Sequence, residues 1–235
     1  ALGLDMLFID ADANDVMELA CNLRTGGAIV ISFDLLSRSA RSVSVAALTT
    51  ALDETDPERL VFPIRLPGGT RVVHAMDDVR RAAPDGLIRD VVIPFNGVLV
   101  TRALVERIGL VREEFFIWGD DHEYRLRAEE AGARIATVVG AVVRHPSVGD
   151  LGTPMAFGRT TYNHSPSDLK HYCMARNNLL NLRRYKGWPH AAAFVAKTAW
   201  FYTFTRPSLS RLRLSAGAMR DGLRGDFTGH QRFLS

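Results

Sequence analysis

Over the front part of the chain, short apolar runs closed by polar or glycine breaks alternate with stretches whose apolar residues recur three and four positions apart. "LDMLFI" stops at "DADAND", and "GGAIVISF" follows a Gly-Gly turn; both have the form of buried strands. "VAALTTALDET" has helical apolar spacing and is broken by Asp56-Pro57. "RLVFPIRL" is interrupted by Pro63, which cannot donate to a ladder, so it predicts an edge or irregular strand. A "PGG" turn leads into "TRVVHA", and the strand-like "DVVIPFNGVLV" contains Asn96-Gly97, a pair suited to a turn or a tight approach. "TRALVERIG" predicts a short helix with Thr101 as N-cap and Gly109 as stop. Asp120 or Asp121 can cap a further helix running to about Ala131, Gly132 can end it, and "RIATVVGAVVRH" then returns to strand. From Ser167 the pattern is helical: "SDLKHYCMARNNLLNLRRYKG" between a Ser167 cap and a Gly187 stop, a helix opened by Pro189, and a last one over "SLSRLRLSAGAMRDGLRG". Alternating strands and helices predict an α/β fold with a sheet flanked by helices over residues 1–165, then a helical C-terminal region over 166–235.

Composition changes this picture little. The 235 residues are 47% hydrophobic and 23% charged, ample for a core. Cys21 and Cys173 lie far apart and read as free thiols of a reducing compartment. No N-terminal stretch has the basic-then-apolar form of a signal peptide, and no uncharged apolar run reaches the roughly 18 residues of a spanning helix. Charge changes it more. From Lys170 to the end there are 12 Lys and Arg against 2 Asp, so this tail carries +10 and the preceding residues carry −7 of the net +3. An acidic front suits a metal; a basic tail containing Trp200, Phe201, Tyr202 and Phe204 suits an anionic surface.

The chemistry concentrates in "FFIWGDDHEY", residues 115–124. Adjacent Asp120 and Asp121 follow an apolar run. Helix capping accounts for one carboxylate. A carboxylate held beside apolar walls and a second carboxylate also tends toward a raised pKa, as a general base requires, so cap and catalysis both remain open on spacing alone. Asp10 and Asp12 close the first strand as a D-x-D pair; alternate residues of an extended segment face one way, so both can meet one Mg²⁺ or Mn²⁺ ion, or they are a polar loop. His145, ending a strand before Pro146, is a structural histidine or a metal ligand.

Taken together, "PFNGVLVTRALVERIGLVREEFFIWGDDHEYRLRAEEAGARIATVVGAVVRHP" resembles the acceptor half of an inverting family 2 glycosyltransferase of GT-A fold. The likeness is greatest to the bacterial subgroup of rhamnosyl- and galactofuranosyltransferases of cell-wall and O-antigen assembly, and "YCMARNNLLNLRRY" with the basic helical tail matches that subgroup too. The resemblance implies a GT-A-like, Rossmann-like sheet. It implies Asp121 as the base that deprotonates the acceptor hydroxyl, with Trp118 and Asp120 shaping the acceptor pocket and Asn96 and Gly97 at the sugar and acceptor site. Asp10, Asp12 and His145 would hold the divalent cation on the nucleotide diphosphate. The implied partners are a nucleotide-sugar donor, a polyprenyl-diphosphate-linked glycan acceptor and an anionic membrane surface on the cytoplasmic side. The nucleotide-binding βαβ unit that opens the family is not legible ahead of Asp10, so either the catalytic domain is truncated at its N-terminus or its front has diverged.

Two other classes compete with an active transferase. A truncated or degenerate domain could serve as a non-catalytic glycan- or membrane-binding module. A nucleotidyltransferase would share the α/β fold and a D-x-D site but needs no acceptor base in a "WGDD…H" setting. No nucleic-acid recognition motif is present, so no nucleic-acid partner is expected.

Overall fold

The computed structural model describes residues 6–9, 45–66, 72–89, 98–145 and 152–234. The chain divides into two units, one of residues up to Leu110 with Arg127–Gly149, the other of Val111–Leu126 with Asp150–Ser235.

The first unit holds β1 (Met6–Ile9), β2 (Val45–Asp53), β3 (Arg59–Arg65), β4 (Val72–Ala75), α1 (Met76–Ala82), β5 (Leu87–Arg89), β6 (Val98–Thr101) and α2 (Arg102–Ile108). Helix α3 (Asp120–Glu130) starts in the second unit, and β7 (Arg134–His145) belongs to the first. Strand β2 is the centre of the sheet. It runs parallel to β7 on one edge; on the other it is antiparallel to β6 and, near its C-terminal end, to β3. Outward from these, β1 lies parallel to β6, β5 antiparallel to β7 and β4 antiparallel to β3. The result is a mixed, Rossmann-like α/β sheet: the alternating pattern predicted the α/β class, and the resemblance the Rossmann-like form.

"VAALTTALDET" is therefore a strand and not the expected helix. Thr50, Ala51, Leu52 and Asp53 are all buried in succession. A strand covered on both faces and flanked by neighbours on both edges shows no alternation, so its apolar residues can fall by chance at helical spacing. Strand β7 alternates as a one-sided strand should, with Ile135, Thr137, Val139 and Ala141 buried. Pro63 lies inside β3, whose register with β4 shifts between Arg59 and Ile64, as an interrupted strand requires. The expected strand over "GGAIVISF" lies outside the described residues.

The second unit packs α3's first turns with a small hairpin and three helices. The hairpin is β8 (Thr153–Met155) and β9 (Thr160–Tyr162). Helix α4 (Asp168–Asn181) continues as a π-helical turn over Leu182–Lys186. Helix α5 (Trp188–Trp200) likewise ends in a π-helical turn, Phe201–Thr205, and α6 (Leu209–Leu223) follows. The caps are as the sequence foretells: the Ser167 hydroxyl accepts from the Lys170 N–H at 3.4 Å, and Gly187 takes φ 86° where α4's π turn stops. Tyr172, Cys173, Ala175 and Leu179 of α4 pack with Ala191, Ala218 and Met219. Each large buried side chain of this kind contributes about 1.5–3 kcal/mol. Gly222 lets α6 approach α4 closely, since a Cβ there would stand 3.0 Å from Arg176 Cγ. Cys173 is a buried free thiol.

The tail's aromatic group divides. Phe201 and Tyr202 are buried with Met155 and Tyr162 in a second core cluster, whereas Trp200 and Phe204 are 45% and 66% exposed. The four do not form one surface cluster: consecutive helical positions point in different directions, so two of them serve the core.

Candidate functional site

The backbone leading into α3 is strained. After a 3₁₀ turn at Glu113–Phe115, Phe116 takes φ 63° and ψ −58°, and the Ile117 N–H donates to Phe115 O at 2.7 Å. This is the γ-turn form that L residues rarely adopt. Trp118 follows at φ 64° and Gly119 at φ 88°. Two non-glycine residues with positive φ cost about 1–3 kcal/mol each, and such conformations persist where the surroundings over-determine them.

Helix α4 supplies those surroundings. Arg176, Asn177 and Asn181 are all fully buried. The Asn177 Nδ2 donates to the carbonyls of Phe115, Ile117 and Trp118 at 3.0, 3.2 and 2.6 Å. The Asn181 Nδ2 donates to Gly119 O at 2.8 Å. Arg176 Nη2 donates to Glu114 O and Phe115 O, its Nη1 to Phe227 O, and its Nε to Asn177 Oδ1 at 2.9 Å. That last bond fixes the amide so that its NH₂ faces the loop. Asn177 and Asn181 are one helical turn apart and so line one face of α4. At Gly119 a Cβ would stand 3.1 Å from Asn177 Cβ, and the backbone is left-handed, so both space and conformation demand glycine.

This buttressed turn delivers Asp120 and Asp121 into the first turn of α3. Gly119, not either aspartate, precedes the first helical residue, and its carbonyl accepts from the Glu123 N–H at 2.9 Å. Neither carboxylate therefore stands at the N-cap position itself. Asp121 Oδ1 accepts from the His122 N–H at 2.6 Å. Burial foremost, and then the Asp120 charge, push the Asp121 carboxyl up to about 6, against the pull of the backbone N–H groups of His122 and Gly119. Desolvation outweighs the helix-terminus amides. A carboxyl titrating there is about nine-tenths ionised at pH 7 and a stronger base than an ordinary aspartate. One turn on, buried Glu123 accepts a hydrogen bond from the Tyr185 hydroxyl at 2.7 Å, tying α3 to the π turn after α4.

In the first unit, His145 ends β7. It stands opposite Asp53, the last residue of β2, in the parallel ladder, and its ring meets Phe62 edge-on at 5.3 Å. Asp53 Oδ1 accepts from the Thr55 N–H and hydroxyl at 2.8 and 2.7 Å. Carboxyl ends of parallel strands are where ligands gather in open α/β sheets. Among the described residues no three His, Cys, Asp or Glu side chains come together as a metal site. Asp10, Asp12, Asn96 and Gly97 lie outside the described residues.

Over 215 residues the chain is 25% identical to the galactofuranosyltransferase GlfT1 of Mycolicibacterium smegmatis, a match covering 91% of this chain and 68% of that one. The chain is similar to a glycosyltransferase. This supports a glycosyltransferase role in general. No protein-family model matches the chain, and no solved structure matches it.

A carboxyl raised toward neutral pH beside a strained, rigidly held turn is able to take a proton from a group placed against it. Sequence reasoning located Trp118, Asp120 and Asp121 in that turn but assigned nothing to Arg176, Asn177, Asn181 or Tyr185. The available signal was four strongly polar residues, Arg176, Asn177, Asn178 and Asn181, inside "ARNNLLN". Asp53 was hidden by the helical reading of β2.

Proposed function

We propose that the protein is an inverting glycosyltransferase of family 2 and GT-A type. It would move a sugar from a nucleotide-sugar donor to a polyprenyl-diphosphate-linked glycan in cell-wall or surface polysaccharide assembly, at the cytoplasmic face of an anionic membrane. The observation that carries this reading is the basic, half-buried Asp121 at a turn held by three buried α4 side chains. In the reaction the acceptor hydroxyl approaches the anomeric carbon. Its oxygen bonds to that carbon as the carbon–oxygen bond to the diphosphate breaks, the electron pair leaves on the diphosphate, and the hydroxyl proton passes to Asp121. Trp118 and Asp120 would border the acceptor, and Asn96 and Gly97 the transferred sugar. Asp10, Asp12 and His145 would be the protein's ligands to a Mg²⁺ or Mn²⁺ ion, which would supply Lewis-acid compensation for the diphosphate charge.

The test is a donor panel with a prenyl-diphosphate-linked acceptor, read by nucleoside diphosphate release and by the product's anomeric configuration. The relative's name makes a galactofuranosyl nucleotide the first donor to try. Acceptor-dependent release with inverted product is expected. No release from any donor, or retained configuration, would overturn the reading.

A further inference from the structure

Helix α5 and its π turn present an uncharged face to solvent. Trp188, Val195, Trp200 and Phe204 are 57%, 43%, 45% and 66% exposed. Ala192, Ala193 and Ala196 are exposed between them. Over Trp188–Phe204 the titratable residues are His190, Lys197 and the buried Tyr202, and along α5, at 100° per residue, His190 and Lys197 fall outside the arc that the exposed apolar side chains share. The opposite side of the same helix is firmly seated. Ala191 and Thr198 are buried, the Tyr162 hydroxyl pairs with Thr198 Oγ1 at 3.1 Å, and the Tyr162 and Phe201 rings stack at 4.5 Å. The exposed face is thus a fixed strip about 24 Å long, with an aromatic side chain at each end.

Cations bracket it. Arg183 and Lys186 precede Trp188, with the Arg183 guanidinium 4.8 Å from the Trp188 ring, and Arg206 follows Phe204. No Asp or Glu occurs between Asp168 and Asp221. No helix among the described residues is long and apolar enough to cross a membrane.

From this arrangement we infer that the outward face of α5, from Trp188 to Phe204, docks flat against the headgroup region of an anionic bilayer. An apolar strip with a basic border is the chemistry of an interfacial helix: aromatic rings enter the headgroup boundary while cations meet anionic lipid. A second copy of the chain fits less well. Pairing two such strips along their length would bring basic ends against basic ends. The inference shares with the proposed function only the placement at a lipid surface.

Flotation of the full chain with phosphatidylcholine vesicles, with and without phosphatidylglycerol, tests it, using no acceptor or donor. The wild type should float with anionic vesicles, bind neutral ones far more weakly, lose binding as salt rises, and show a blue-shifted tryptophan emission when bound. Trp200→Glu/Phe204→Glu should weaken binding by at least about tenfold, since two interfacial rings are exchanged for charges that anionic lipid repels. Its melting temperature should match the wild type, because neither side chain is in the core. Absence of vesicle binding by the wild type, equal binding by the double variant, or salt-independent dimerisation abolished by the double variant would each overturn the inference. Failure here together with normal transfer to a soluble acceptor would leave the catalytic reading standing.

Discussion

Asp121→Asn should lower sugar transfer by about 10²–10⁴-fold, the usual loss when a positioned base is removed. It should also make the protein more stable at neutral pH. The folded chain holds the Asp121 proton up to about pH 6, whereas the group's ordinary value is 3.8. Ionising it therefore costs the fold stability as pH rises through that window. The cost is absent below pH 4 and fully present above pH 6, where a shift of two units is worth at most about 3 kcal/mol. Asparagine never ionises, so the gain should appear in melts at pH 7 and vanish at pH 4. An ordinary core substitution would lower both activity and stability. The opposite movement of the two is the signature of a group whose environment serves its chemistry. Turnover within tenfold of the wild type, or a variant less stable than the wild type at pH 7, would remove Asp121 from this role.

Arg176→Lys should give the largest loss of stability among conservative changes, about 3 kcal/mol, read as a fall in melting temperature of about 6–12 °C. The guanidinium donates in three directions at once, to Phe227 O, to Glu114 and Phe115 O, and to Asn177 Oδ1. A lysine ammonium is a compact point donor and cannot span these acceptors, so buried carbonyls would lose their partners. The planar group also lies 5.1 Å from the Phe227 ring centroid, a contact that lysine would reproduce poorly. Because Arg176 orients the Asn177 amide that holds the carbonyls of Phe115, Ile117 and Trp118, turnover should fall too, at temperatures where the variant is still folded. A melting temperature within about 2 °C of the wild type would show that the loop does not depend on this residue.

The sequence pointed to the paired aspartates and hid what holds them in place. Adjacent aspartates after "FFIWG" announced an unusual helix start, because like charges in sequence need a physical reason. The helices after Ser167 and the strand over residues 134–145 were legible because their periodicity and stops agree. Strand β2 was not, because burial on both faces erases alternation. The roles of Arg176, Asn177 and Asn181 could not be read locally. Their partners in the turn are backbone carbonyls about sixty residues earlier, and a carbonyl leaves no mark on the sequence. The left-handed Phe116 and Trp118 were equally silent, since nothing about an aromatic residue signals positive φ. The tail's aromatics were grouped by sequence position, whereas the helix sends Phe201 and Tyr202 inward and Trp200 and Phe204 outward.

The pH dependence of kcat/KM, wild type against Asp120→Asn, tests most directly whether Asp121 is the base. This ratio reports ionisation of the free protein. The wild type should lose activity below a midpoint near pH 6, the value to which burial and the Asp120 charge raise Asp121. Neutralising Asp120 removes the second of those causes, so in Asp120→Asn the same limb should lie at lower pH, whatever the height of its plateau. A wild-type profile flat between pH 5 and 7, or a limb that stays in place when Asp120 is neutralised, would contradict the assignment.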